Sequence, residues 1–161
     1  SCKPLSGKSF QGVRYTMCEA VLVFLSWTAW PFAIQQSWED IRVMAEAQHE
    51  IVLLLIEREE FDKVPAAARE IFTLPFPPEE EHRIVKEAEI LTSALLSHNR
   101  ADLAHVILND ALTNVKSPKN KARLHKEKAF VLRKEGKDDE AMQEFQKCVE
   151  LEKQTAGSPN Q

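Results

Sequence analysis

The sequence predicts an all-α protein, and three observations carry that expectation. Beyond residue 37 nearly every segment is rich in Ala, Leu, Glu, Lys and Gln, the residues that lose least on entering a helix. Glycine is scarce, with four in 161 residues, and there is one tyrosine, too few turn and strand formers for a sandwich of short strands. Apolar residues recur at helical spacing, best in "GKDDEAMQEFQKCVELEK", where Ala141, Phe145 and Cys148 fall at intervals of four and three. With 43% hydrophobic residues, the chain is long enough for one domain with a real core.

Residues 1–36 form a separate leader. "AVLVFLSWTAWPFAI", residues 20–34, is uncharged, and Lys3, Lys8 and Arg14 precede it. A basic stretch, an apolar core of this length and a following Ala resemble a secretory signal peptide. Cleavage after Ala33 fits, although Pro31 is a poor residue two positions earlier. Export, periplasmic or secreted, is the expectation if residues 1–33 are such a signal. The alternatives are a buried first helix of a cytoplasmic domain or a membrane anchor, for which the run is short of the roughly 20 residues a span needs. Met17 is an alternative start that would remove the basic flank. Removing the leader leaves only Cys148 of three cysteines, which is consistent with export and too few for a disulfide framework or a metal motif.

The helical domain is expected over residues 37–153. Ser37 and Asp40 suggest a helix start near Trp38 and a long first helix to about Arg58. Asp62 is a candidate N-cap for the next helix, which places Pro65 in its first turn, where a missing N–H costs little. "LPFPPEEEHR", residues 74–83, breaks the helix with three prolines and continues as a solvated acidic run. "NVKSPKNK", residues 114–121, is a shorter loop. Gly136 supplies the φ > 0 that ends a helix, Asn99 tolerates it next best, and Glu59 does not, so the first turn is expected to be built differently. "QTAGSPNQ", residues 154–161, is expected to be disordered.

An internal repeat organises these helices. From Ala129, small or apolar residues fall at offsets 3, 12, 16 and 19, namely Leu132, Ala141, Phe145 and Cys148, with Gly136 at offset 7. From Thr92 the same offsets give Leu95, Ala104, Leu108 and Ala111, with Asn99 in the Gly place. From Val52 they give Leu55, Val64, Ala68 and Ile71, with Glu59 there. The pattern resembles the tetratricopeptide repeat, a helix-turn-helix unit of about 34 residues, over residues 45–153. The resemblance is clearest in "AFVLRKEGKDDEAMQEFQKCVEL". The first copy has Val52 and Val64 where small residues are usual, and the aromatic that often opens the repeat is absent. It implies stacked antiparallel helical hairpins, an α-solenoid in which each hairpin covers the apolar flank of the last. On that reading Ala141 and Cys148 are small so that the second helix can approach Ala129 on the first, and Phe145 fills the wider gap.

Little in the sequence points to catalysis. There is no Gly-rich phosphate loop, no paired Cys motif and no His pair beside a carboxylate. His49, His82, His98, His105 and His125 read as surface residues, so no metal, cofactor or small-molecule substrate is expected. A net charge of −4 argues against nucleic acid as a partner.

Charge is more informative about partners. Lys116 to Lys137 holds nine basic and two acidic residues, +7 in a chain of −4, so the remainder carries −11. The family resemblance implies that the first helix of each hairpin lines a groove. Arg123, Lys126, Phe130 and Arg133 would then face it from the third copy, Lys86, Glu89, Ser93 and Leu96 from the second, and Glu46, His49, Leu53 and Ile56 from the first. A basic end and an apolar middle suit an extended acidic peptide or a C-terminal carboxylate. Met142 and Val149, on one stripe of a last helix with nothing after it to cover it, are candidates for self-association, a two-fold homodimer being the simplest form. The function expected is therefore a non-catalytic protein-interaction scaffold. The alternative is an accessory or assembly subunit of an enzyme or export machine.

Overall fold

A computed structural model describes residues 38–157, and residues 1–36, the expected leader, lie outside them. The chain divides into two compact units, Ser1–Asp40 and Ile41–Gln161. Of the first only residues 38–40 are described, and they are helical.

All regular structure among the described residues is helical. Helix α1 is described over residues 38–57 and is followed by α2 (Val64–Phe72), α3 (His82–Ser97), α4 (Ala101–Asn114), α5 (Pro118–Lys134) and α6 (Asp138–Ala156). A 3-10 turn, Pro78–Glu80, precedes α3. Helices α3 and α4 pack as neighbours, as do α5 and α6, and α4 also contacts α2 and α5 while α3 contacts α5. The Gln48 Nε2 amide on α1 donates to the Ala67 carbonyl on α2 at 3.1 Å.

The same backbone device closes α1, α3 and α5. After α1, the Glu59 N–H donates to the Ile56 carbonyl (3.0 Å) and the Glu60 N–H to Leu55 (2.9 Å). After α3 the bonds run from Asn99 to Leu96 and Arg100 to Leu95, and after α5 from Gly136 to Arg133 and Lys137 to Leu132. This crossed pair is the Schellman closure, which needs one residue at φ > 0. Glu59 and Asn99 both stand at φ 59° and Gly136 at 75°. The expectation that the first turn differs is therefore wrong. The two backbone hydrogen bonds outweigh the left-handed strain of a Glu, which is of order 1–2 kcal/mol. A Cβ at Gly136 would meet nothing within 4 Å, so glycine is used there for its φ and not for space.

Other local expectations shift by a few residues. The cap position of α2 is Lys63 and not Asp62, although Pro65 does sit in the first turn. Helix α5 begins at Pro118, inside the stretch read as a loop, because proline at the first helical position loses nothing. Helix α6 continues through Ala156, taking in the first three residues of the expected disordered tail.

None of the fifteen repeat-register positions is exposed. Those of the first two copies are buried except half-buried Leu55, and in the third Phe145 and Cys148 are half-buried. The larger core draws on α1 to α5, from Val52 and Ile56 through Phe72, Leu91 and Leu108 to Leu124 and Val131. The third hairpin has a small cluster of its own, Ala129, Leu132 and Ala141 with Phe145 against it.

Candidate interaction surface

Helix α3 carries two carboxylates that reach opposite neighbours. Glu87 pairs with His49 Nδ1 on α1. Two positions on, Glu89 accepts two hydrogen bonds from Arg123 Nη2 on α5, at 2.8 and 2.9 Å. The first helices of the three hairpins are thereby tied side by side through α3. Glu127, half-buried near Glu89, has its carboxyl pushed above the ordinary range, by burial first and the Glu89 charge second, against the pull of Lys126 and Lys134.

The expected groove residues divide into several groups on this face. Lys126, Arg133, Ser93 and Lys86 are exposed, and Glu46 is exposed beside an open cleft of about 720 Å³ between α1 and α3 whose lining includes Ile71 and Phe76. Phe130 is 44% exposed. Arg123 is committed to Glu89, and His49 to Glu87. Leu53 and Leu96 are half-buried and pack against the core. Ile56 is 1% exposed and belongs to the core outright, although it lies on the stripe of His49 and Leu53 two turns after His49.

Among the described residues Lys119, Lys126, Arg133 and Lys134 of α5 have no ion-pair partner, whereas Arg123 and Lys128 do. Positions 119, 126 and 133 repeat every seven residues, so these side chains share one stripe with Phe130 between them. The Phe130 ring meets the Phe145 ring of α6 edge to face, with centroids 5.4 Å apart and planes at 81°. Phe145 in turn lies one helical turn from Met142 (59% exposed) and from Val149 (50% exposed). Expected as separate features, the cationic stripe of α5 and the apolar stripe of α6 meet at this ring pair. Ile90, exposed on α3, and Val43, Met44, Ile51 and Leu54, exposed on α1, extend the apolar surface beyond what the sequence suggested.

Sequence reasoning missed the polar ties. Three histidines read as surface residues are each about one-fifth exposed and paired with a glutamate on another segment: His49 with Glu87, His105 with Glu135 and His125 with Glu144. Glu144 is 7% exposed. It takes hydrogen bonds with His125 Nδ1 (2.6 Å) and Lys147 (3.0 Å), and Lys128 stands at 3.6 Å. Burial pushes its carboxyl up, but the His125 and Lys147 hydrogen bonds and the nearby lysine charges outweigh this and hold it below the ordinary range. Glu135 is likewise held down, by its His105 hydrogen bond first and also by Lys137. A signal for Glu144 existed, since it lies three residues after Ala141, on the inward face. Glu81, expected in a solvated run, instead accepts from the Lys116 and Ser117 N–H groups at 2.8 Å each, satisfying donors at the start of α5.

Among the described residues no group of three His, Cys, Asp or Glu is placed to hold a metal ion, and no helix is long and apolar enough to cross a membrane. The chain matches no family model, no curated protein and no solved structure.

Proposed function

We propose that this chain is a non-catalytic protein-interaction module, a tetratricopeptide-like stack of three hairpins that binds an extended, acidic peptide or partner subunit along α1, α3 and α5. The repeated Schellman closures and the burial of the register positions support the stacked-repeat part of this reading. The observation that carries the binding part is the α5 stripe: Lys119, Lys126, Arg133 and, beside it, Lys134 make no ion-pair contact with a carboxylate and flank the exposed Phe130 ring. Charges left unpaired on a rigid helix offer long-range attraction and orientation to an oppositely charged chain.

Charge reversal tests the reading. With a labelled peptide of alternating Glu and Leu as probe, Lys126→Glu weakens binding while leaving the melting temperature nearly unchanged, because an exposed charge contributes little to stability. Arg123→Glu weakens it too, but at some cost in stability, since it also strands Glu89. Binding declines as salt rises, the screening length being only about 8 Å at 0.15 M. Lys116→Glu, outside the stripe, has a much smaller effect. Equal binding by all three variants, or binding indifferent to salt, refutes the proposal.

The exposed apolar residues of α1, Val43, Met44, Ile51 and Leu54, favour a second reading. In it the chain is an accessory or assembly subunit whose outer helix is covered in a complex. Loss of assembly on Leu54→Glu, with the α5 reversals silent, distinguishes it.

A further inference from the structure

We infer that the α5–α6 hairpin carries a docking ridge for an acidic amphipathic helix of a partner protein. The ridge is Met142, Phe145 and Val149 on α6, joined to Phe130 on α5. The inference rests on the reading of the chain as an interaction module, and adds where one partner seats and what it must look like.

Three features specify the occupant. Met142, Phe145 and Val149 are spaced by three and four residues, so they form a ridge along one side of a helix, and such a ridge packs into the matching groove of another helix. Phe130 stays 44% exposed even with Phe145 against its edge, leaving ring surface for an apolar side chain of the partner. The α5 flank of the ridge is cationic and unpaired. Because α5 and α6 are antiparallel, Val149, one turn beyond Phe145, lies at the end where Lys126 sits, one turn before Phe130, with Lys119 two turns further back. At the other end Asp138, Asp139 and Glu140 open α6, close to Arg133 of the same α5 stripe. An acidic helix is therefore drawn to the α5 flank of the ridge, where Lys126 and Arg133 stand one turn to either side of Phe130.

The test uses the full chain and three labelled synthetic helices: one with an apolar stripe flanked by Glu, one with the same stripe flanked by Lys, and one with the Glu composition but the stripe scrambled. The Glu-flanked helix binds best. Val149→Glu, Met142→Glu and Lys126→Glu each weaken it by about tenfold or more, with unchanged melts. Two reversed residues on α6 keep the test decisive if one variant fails to fold. Equal binding of the Glu- and Lys-flanked helices, indifference to scrambling, or no binding by the native chain overturns the inference. So does a concentration-dependent dimer dispersed by Val149→Glu, because the occupant is then a second copy. Lys86→Glu on α3 separates the two proposals: if it abolishes binding of the Glu/Leu peptide while the α6 variants change nothing, the interaction module stands and the ridge does not.

Discussion

The first two hairpins and the third are held together by different chemistry. Between α1 and α4, long apolar side chains such as Ile56, Phe72, Leu91 and Leu108 fill a shared core, and α5 joins it through Leu124 and Val131. Helix α6 adds nothing to that core. It meets α5 through the small cluster of Ala129, Leu132 and Ala141 and through the knot of Glu144 with His125, Lys128 and Lys147. A shared apolar core makes elements unfold together, whereas a helix attached by few apolar contacts opens by itself. The same arrangement that weakens α6 leaves its apolar ridge available.

The largest effect that sharpens this contrast is Leu108→Ala. It removes a fully buried side chain from the shared core and costs about 2–5 kcal/mol of global stability in urea titration. Leu132→Ala, in the small cluster, shows instead as faster amide exchange confined to α6. Global unfolding by both variants to the same extent would break the comparison.

Next in size is Ala141→Trp, which forces an indole between α5 and α6 where Ala129 and Ala141 meet. Overpacking costs roughly 1–3 kcal/mol, against less than about 0.5 kcal/mol for the exposed Lys137→Ala. Equal melting temperatures for these two variants would mean that the helices are not closely packed at Ala141.

Glu144→Gln keeps the shape of the knot and removes its charge, at roughly 1–3 kcal/mol near neutral pH. The native carboxyl is held below its ordinary range, so its stabilisation is present above the unfolded value and is lost as pH falls through the folded value. The native protein should therefore lose stability on acidification more steeply than the Gln variant, and parallel pH profiles of the melting temperature would rule the knot out.

The smallest effect lies in the first turn. Glu59→Gly relieves the left-handed strain while adding unfolded-state entropy, a net gain of about 1 kcal/mol or less. Asn99→Gly should gain less, since Asn tolerates φ > 0 better than Glu. A loss of stability in Glu59→Gly would show that the Glu59 side chain contributes to the turn.

Much of the helical architecture was legible because it is written in apolar periodicity. The end of α1 near Arg58, the hairpin turns at Asn99 and Gly136, and every buried register position follow from the sequence pattern; the expected start near Trp38 lies at the edge of the described residues. The turn at Glu59 was misread because a Schellman closure is made by backbone groups, and residue identity only shifts its cost. The start of α5 was misread because Pro118 serves as an opening residue as readily as a breaker. Of the candidate surface, the exposed cations and the Met142 and Val149 stripe were legible as helix faces. Their junction at Phe130 and Phe145 was not, because it depends on the phase of two helices relative to each other. The polar ties were hidden for a related reason: partners such as Glu81 and the Ser117 N–H, or Glu87 and His49, are separated by 36 and 38 residues, and a charged residue at a helix surface looks the same whether or not another helix covers it.

The two carboxylates of α3 have a mechanical consequence. With Glu87 bound to α1 and Glu89 to α5, α3 acts as a central rib to which the outer helices are fastened by side-chain ties. A partner that splays α1 from α5 must break these ties, and one that draws them together must compress the apolar core that the three helices share. The breadth of the face is thus held from both directions, by polar ties against widening and by packing against narrowing.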